Sequence, residues 1–212
     1  MSLHLQLHKL LCLTSIQFHR NYSSLNMAKK ALVLIATGTE EMECVITVDV
    51  LRRGGVEVEL AGVTGKDATK CSRGVAVVPD IELSQAKGPY DAIVLPGGLG
   101  GSKAFCESKQ LGEVLKGQER DGGIIAAICA APTALRIHGI GIGKNLTSYP
   151  SVQSQVVEGG NYTYKEDEVV VDGNLITSRG PGTAFKFALT LVEHLVGQEK
   201  AKEVARGMLT SF

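Results

Sequence analysis

Ala31-Leu-Val-Leu-Ile-Ala36 runs directly into Thr37-Gly-Thr-Glu-Glu41, and this junction decides the fold class. A continuous apolar run lacks the in-out alternation of a strand with one wet face. It reads as a strand covered on both sides, the habit of a parallel sheet. The residues after it favour a helix start. Thr37 or Thr39 offers an N-cap oxygen, and the acids behind it sit at the positive end of the helix dipole. The pattern carries Met42, Val45, Ile46 and Val50 inward, and Arg52-Arg53-Gly54-Gly55 supplies the cations and glycine that close a helix. Val56-Glu-Val-Glu-Leu-Ala-Gly62 then alternates as a second strand.

The same unit recurs along the chain. Asp91-Ala-Ile-Val-Leu95 and Gly123-Ile-Ile-Ala-Ala-Ile128 predict two more buried strands, and Val75-Ala-Val-Val78 a short strand or hairpin arm. Val169-Val-Val-Asp-Gly-Asn-Leu-Ile-Thr177 predicts a hairpin, its Asp-Gly suited to a type I′ turn. Helices are predicted near 109–117, 131–138, 183–196 and 198–208. Strands alternating with helices give an α/β fold, a mostly parallel sheet with helices on both faces.

Composition excludes several classes. Lys+Arg 22 against Asp+Glu 22 leaves no basic surplus for nucleic acid or an anionic membrane, and no stretch approaches the roughly 18 apolar residues of a membrane span. Hydrophobic residues at 44% and charged ones at 21% fit one globular domain within 212 residues. The five cysteines, 12, 44, 71, 106 and 129, form no C-x-x-C and no ligand spacing, so neither a disulfide framework nor a metal site is expected. Residues 1–26 stand apart. No Asp or Glu occurs before Glu40, and Lys9 and Arg20 lie among leucines and serines. That is the composition of a mitochondrial transit segment, with a disordered leader as the alternative. The expectation is therefore a single domain over 27–212, cytoplasmic, with mitochondrial targeting by residues 1–26.

In an open parallel sheet, ligands bind beyond the C-terminal ends of the strands. Three unusual segments fall there: Thr39-Glu40-Glu41-Met42-Glu43, Pro96-Gly97-Gly98-Leu99-Gly100-Gly101 and Cys129-Ala130-Ala131-Pro132-Thr133. Cys129 joins a buried strand to a helix, where the dipole and free N–H groups favour thiolate. The N–H groups of Ala130 and Gly98 are placed to hold an oxyanion. A buried, inert thiol is the alternative reading. The glycine pairs match neither G-x-G-x-x-G nor a P-loop, so no nucleotide cofactor is expected. Glu43 reads first as a solvated dipole partner. An ionised Glu43 beside the thiol would raise the thiol pKa, so it assists only if burial keeps it protonated as a donor. A base is missing, since His138 ends a helix before Gly139 and His194 has no evident partner. Cys44 falls on the first helix and Cys71 and Cys106 in loops. Cys71, beside Lys70 and Arg73, reads as an exposed thiol.

Taken together, Glu40-Glu41-Met42-Glu43, Lys70-Cys71-Ser72-Arg73, Val94-Leu95-Pro96-Gly97-Gly98, Ala126-Ala127-Ile128-Cys129-Ala130 and Thr177-Ser178-Arg179-Gly180-Pro181-Gly182-Thr183 resemble the DJ-one family of parkinsonism-associated deglycases, within the ThiJ/PfpI superfamily. The resemblance covers residues 28–212. It implies a flavodoxin-like three-layer sandwich and a homodimer. It assigns the reactive cysteine to Cys129, the protonated partner to Glu43 and backbone contacts to Gly98 and Ala130. Arg73, Tyr149, Arg179 and Pro181 become binding residues around the site. It further implies an oxidative-stress sensor whose Cys129 goes to sulfinate, with peroxide as reactant. The alternatives are a glyoxalase or protein deglycase acting on α-oxoaldehydes through a Cys129 hemithioacetal, and a redox-regulated chaperone. Two positions depart from the family pattern. Tyr149 stands where relatives commonly carry His, and a neutral phenol is no base near pH 7. Ala131 replaces a common Gly, a change expected to narrow the pocket.

Overall fold

The computed structural model describes residues 28–212; the leader over 1–26 lies outside the described residues. The chain runs β1 (Lys30–Ile35), α1 (Glu41–Arg53), β2 (Glu57–Gly62), the hairpin β3 (Thr69–Lys70) and β4 (Ala76–Val77), β5 (Ile81–Glu82), β6 (Ala92–Leu95), α2 (Leu99–Glu107) and α3 (Lys109–Arg120). It continues through β7 (Ile124–Ile128), α4 (Pro132–His138), β8 (Asn145–Leu146), α5 (Gln153–Val157), β9 (Thr163–Tyr164), β10 (Val169–Asp172), β11 (Leu175–Ser178), α6 (Ala184–Val196) and α7 (Gln198–Gly207). The main sheet has the order β10-β11-β7-β6-β1-β2-β5. Every pairing in it is parallel except the β10–β11 hairpin.

The α/β three-layer architecture reflects burial. β1, β6 and β7 sit in mid-sheet, and Leu32, Leu34, Ile35, Ile93, Leu95, Ile125 and Ile128 are fully buried or nearly so. Each such side chain removed from water stabilises the fold by roughly 1.5–3 kcal/mol before entropy is counted. One face is covered by α1, α6 and α7, the other by α2, α3 and α4. The α1–α6 contact is close enough that a Cβ on Gly54 would lie 2.9 Å from Val192 Cγ2.

Several local expectations change. Met42 and Val45 are about half exposed, at 51% and 49%, while the inner face of α1 carries Glu41, Glu43, Cys44, Thr47, Val48, Val50 and Leu51. The helix buries polar residues because the site lies beneath its first turn. Its N-cap is Glu40, whose carboxylate accepts from Glu43 N–H at 2.8 Å, rather than either threonine. Thr39 instead accepts from the Ala36 N–H at 3.0 Å. Gly100-Gly101 mask α2 in the sequence, since glycine is a poor helix former. The reason for glycine is space: a Cβ on Gly101 would sit 2.4 Å from Thr39 Oγ1. In the β10–β11 turn only Gly173 has positive φ, at 62°, the pattern of type II′ rather than I′.

Candidate active site

The three segments beyond the strand ends do converge. Cys129 comes directly after β7 with φ of 64°, a left-handed conformation that costs a non-glycine residue about 1–3 kcal/mol. Neighbours hold it there: its N–H donates to Ser178 O at 2.9 Å and its carbonyl accepts from Tyr149 N–H at 2.8 Å. The turn directs the thiol away from the sheet, and backbone N–H groups of Gly98 and Ala130 point at the sulfur.

Glu43 lies beside it, fully buried. Its Oε2 accepts from Gly97 N–H at 2.7 Å, and its Oε1 has no hydrogen-bond partner. Gly97 is the spacer between the two groups. A Cβ there would lie 2.6 Å from Cys129 Cβ and 2.7 Å from Glu43 Oε2.

Burial dominates the electrostatics. It holds the Glu43 carboxyl up at about 7, against the opposing pull of hydrogen bonds from Gly97 and Cys129. Burial, then the charge of Glu43, pushes the Cys129 thiol up to about 12, while the N–H groups of Gly98 and Ala130 pull it down. An ionised Glu43 thus suppresses the thiolate and a protonated one permits it. The pair releases its first proton near neutrality, as a unit. With the carboxyl at about 7 and the thiol at about 12, Glu43 gives up that first proton and the sulfur keeps its own, while the two N–H groups at the sulfur narrow the gap.

This raised carboxyl makes stability depend on pH. A group whose folded pKa is raised holds extra protons in the native state, so its contribution is present below its unfolded pKa and is lost as pH rises through about 7. Glu43→Gln is neutral at every pH and escapes that loss. Its stability relative to wild type should improve by about 3 kcal/mol between pH 5 and pH 8. Thermal melts at the two pH values read this; a constant difference would refute it. The same variant should bring the Cys129 thiol below about 12, read by the pH dependence of alkylation.

Above the pair opens a pocket of about 440 Å³, lined by Cys129, Ala130, Gly98, Arg73, Tyr149 and Pro181, together with Glu40, Leu99 and Ser151 among others. Arg73 is fixed through its backbone: its N–H donates to Glu41 Oε1 at 2.9 Å, and Ser72 Oγ donates to Glu41 Oε2 at 2.9 Å. Arg179 is not on the lining; its Nη1 donates to the Glu166 carbonyl at 2.7 Å and to Glu166 Oε2 at 3.2 Å. Ala131 is fully buried and is not on the lining. Of the described histidines, His138 and His194, neither lines the pocket. The His138 ring bonds to the Phe105 carbonyl and the His194 ring to the Thr190 carbonyl, each at 2.8 Å. Cys71 is buried rather than exposed, at 4%, because flanking backbone bonds, Gly38 N–H to Lys70 O and Ser72 N–H to Thr39 O, fold its loop onto the start of α1. Cys106 lies in α2, not a loop. Among the described residues no group of three or more His, Cys, Asp or Glu is placed to hold a metal, and no helix is long and apolar enough to cross a membrane. Glu40 is the residue that sequence reasoning missed: a first-turn acid looks like a dipole partner, and only the fold places it on the lining of the Cys129 pocket.

Comparison with known proteins fits this geometry. The chain is 56% identical over 188 residues to Protein dj-1beta of Drosophila melanogaster, covering 88% of this chain and all of that protein. The crystal structure of that relative superposes with a TM-score of 0.85 over the same shares of the two chains. It is 53% identical to the Parkinson disease protein 7 homolog of Danio rerio, covering 83% of this chain and 94% of that one. It is 44% identical to the glutathione-independent glyoxalase DJR-1.2 of Caenorhabditis elegans, covering 84% and 95%. The family model matches residues 29–194, and the chain belongs to the DJ-1/PfpI family.

Proposed function

We propose that the protein converts α-oxoaldehydes to α-hydroxy acids without glutathione, through covalent chemistry at Cys129. The observation that carries this reading is the thiol at the floor of a substrate-sized pocket, faced by the N–H groups of Gly98 and Ala130. Sγ adds to the aldehyde carbon, the carbonyl oxygen takes up a proton, and a hemithioacetal forms. Negative charge gathering on that oxygen is met by the two N–H groups, and the Glu43 carboxyl is the nearby proton source. The name of the C. elegans relative supports the same chemistry. Purified protein given methylglyoxal alone should form lactate with saturable kinetics; no lactate would end the reading. Early glycation adducts on proteins, which present related carbonyl chemistry, form a second substrate class.

A redox role is the second reading, and the unpartnered Glu43 Oε1 favours it. A sulfinate on Cys129 would add oxygens beside a buried carboxyl with bonding capacity to spare. In a peroxide titration followed by mass spectrometry, Cys129 should gain two oxygens before Cys44, Cys71 or Cys106 reacts. Earlier oxidation of any of those would count against it.

We further infer a homodimer. Met42, Val45 and Val75 are about half exposed and Val78 more so, and they lie on α1 and the adjoining β3–β4 segment, which the Glu41 carboxylate ties together. Sedimentation equilibrium should return twice the chain mass; a monomer at micromolar concentration would contradict it.

A further inference from the structure

We propose that Glu40 is the general base of this site, the residue that shuttles a proton between the two carbons of the bound α-oxoaldehyde. The assignment rests on the proposed formation of a hemithioacetal at Cys129. Such an adduct needs a group to move hydrogen from the former aldehyde carbon to its neighbour, and among the described residues the phenol at Tyr149 and the histidines at 138 and 194, both bonded elsewhere, do not supply one.

Glu40 lines the same pocket as Cys129 and contributes the only carboxylate of that lining. It is about nine-tenths buried, at 9% exposure. One oxygen, Oε2, is occupied as the helix cap by the Glu43 N–H at 2.8 Å. No hydrogen bond occupies Oε1 among the described residues. The backbone is equally fixed: Glu40 N–H donates to Gly97 O at 2.9 Å, and a Cβ on Gly98 would lie 2.5 Å from Glu40 N. The backbone that carries this carboxylate is therefore fixed against Gly97 and Gly98, on the pocket that the sulfur also lines. Glu43 is engaged with Gly97 and the thiol, so the two acids divide the work. Glu43 manages the proton of the sulfur and the carbonyl oxygen, and Glu40 manages the proton on carbon.

The steps balance without an external oxidant. Sγ bonds to the aldehyde carbon and the carbonyl oxygen gains a proton. Glu40 removes the proton from that carbon, giving an enediolate, and returns a proton to the adjacent carbon. The former aldehyde carbon is now oxidised to a thioester and its neighbour reduced to a carbinol. Water attacks the thioester, the C–S bond breaks, the sulfur regains its proton and the α-hydroxy acid leaves.

The test uses methylglyoxal with the full chain. Glu40→Gln keeps an oxygen that can accept the Glu43 N–H, so the cap is preserved while the base is removed. Lactate formation should fall at least about 100-fold in kcat. Cys129 in the variant should still be protected from iodoacetamide by methylglyoxal at wild-type concentrations, showing that addition survives. A merely structural role would disturb that protection too. Wild type run in D2O should place deuterium on carbon 2 of lactate, because Oε1 exchanges with the solvent of the pocket; this arm needs no variant. Turnover of Glu40→Gln within about threefold of wild type, or lactate bearing only protium at carbon 2, overturns the assignment. Wild type that forms no lactate at all overturns the enzymatic reading beneath it as well.

Discussion

Cys129→Ser should remove lactate formation from methylglyoxal, lowering kcat/KM by at least about 10³-fold, because the variant loses the nucleophile and not merely a contact. The effect is large because nothing else near the site can take over. Cys44 is fully buried, with its thiol pushed up to about 12, and neither Cys71 nor Cys106 opens into the pocket. Serine is close in size and keeps the same backbone demands, so the melting temperature should shift by only a degree or two. Loss of activity with an unchanged fold is the expected pairing. Residual turnover above about a tenth of wild type would mean that the chemistry runs through another residue and would remove the central claim.

The second large effect is on structure. Gly97→Ala should lower the melting temperature by about 5–10 °C and weaken the site. The new Cβ would meet Cys129 Cβ at 2.6 Å, Glu43 Oε2 at 2.7 Å and the Ile128 carbonyl at 2.8 Å, with β7 backbone on one side and a buried carboxyl on the other. Overpacking of this kind costs about 1–3 kcal/mol, often more where backbone must move, and each kcal/mol is about 2–4 °C in a chain of this size. Gly117→Ala is the contrast. It lies inside α3, where its Cβ would come no nearer than 3.9 Å to Arg120, so the exchange should be neutral or slightly stabilising. Paired thermal melts decide; equal behaviour of the two variants would show that the spacer role of Gly97 is wrong.

The strands were legible because β1, β6 and β7 are buried on both faces and their sequences carry no polar interruption. Cys129 was legible for a related reason, since a thiol between such a strand and a proline-started helix stands out. Less visible was α1. Its inner face mixes Glu41, Glu43 and Thr47 with apolar residues, so amphipathic reasoning chose Met42 and Val45, which face outward. The acids could not be sorted from one another by type or spacing. Glu41 binds a loop more than thirty residues away, Glu43 a strand end and a thiol, and Glu40 its own helix and the pocket. Those differences arise from long-range packing. Arg179 shows the same limit in reverse, because its motif is present while its guanidinium is taken by Glu166.

The packing of α1 against α6 has a consequence for how the chain matures. The β1–α1–β2 unit is local and can pair early, yet the helix that covers α1 is the second to last element made. During synthesis, then, the side of α1 that α6 covers stays open until almost the whole polypeptide has left the ribosome. Non-local closure of this kind is slow, and slow closure leaves an apolar surface open to association. A nascent or truncated chain lacking α6 and α7 would carry that surface permanently, so premature termination ahead of α6 should yield aggregation rather than a smaller working protein.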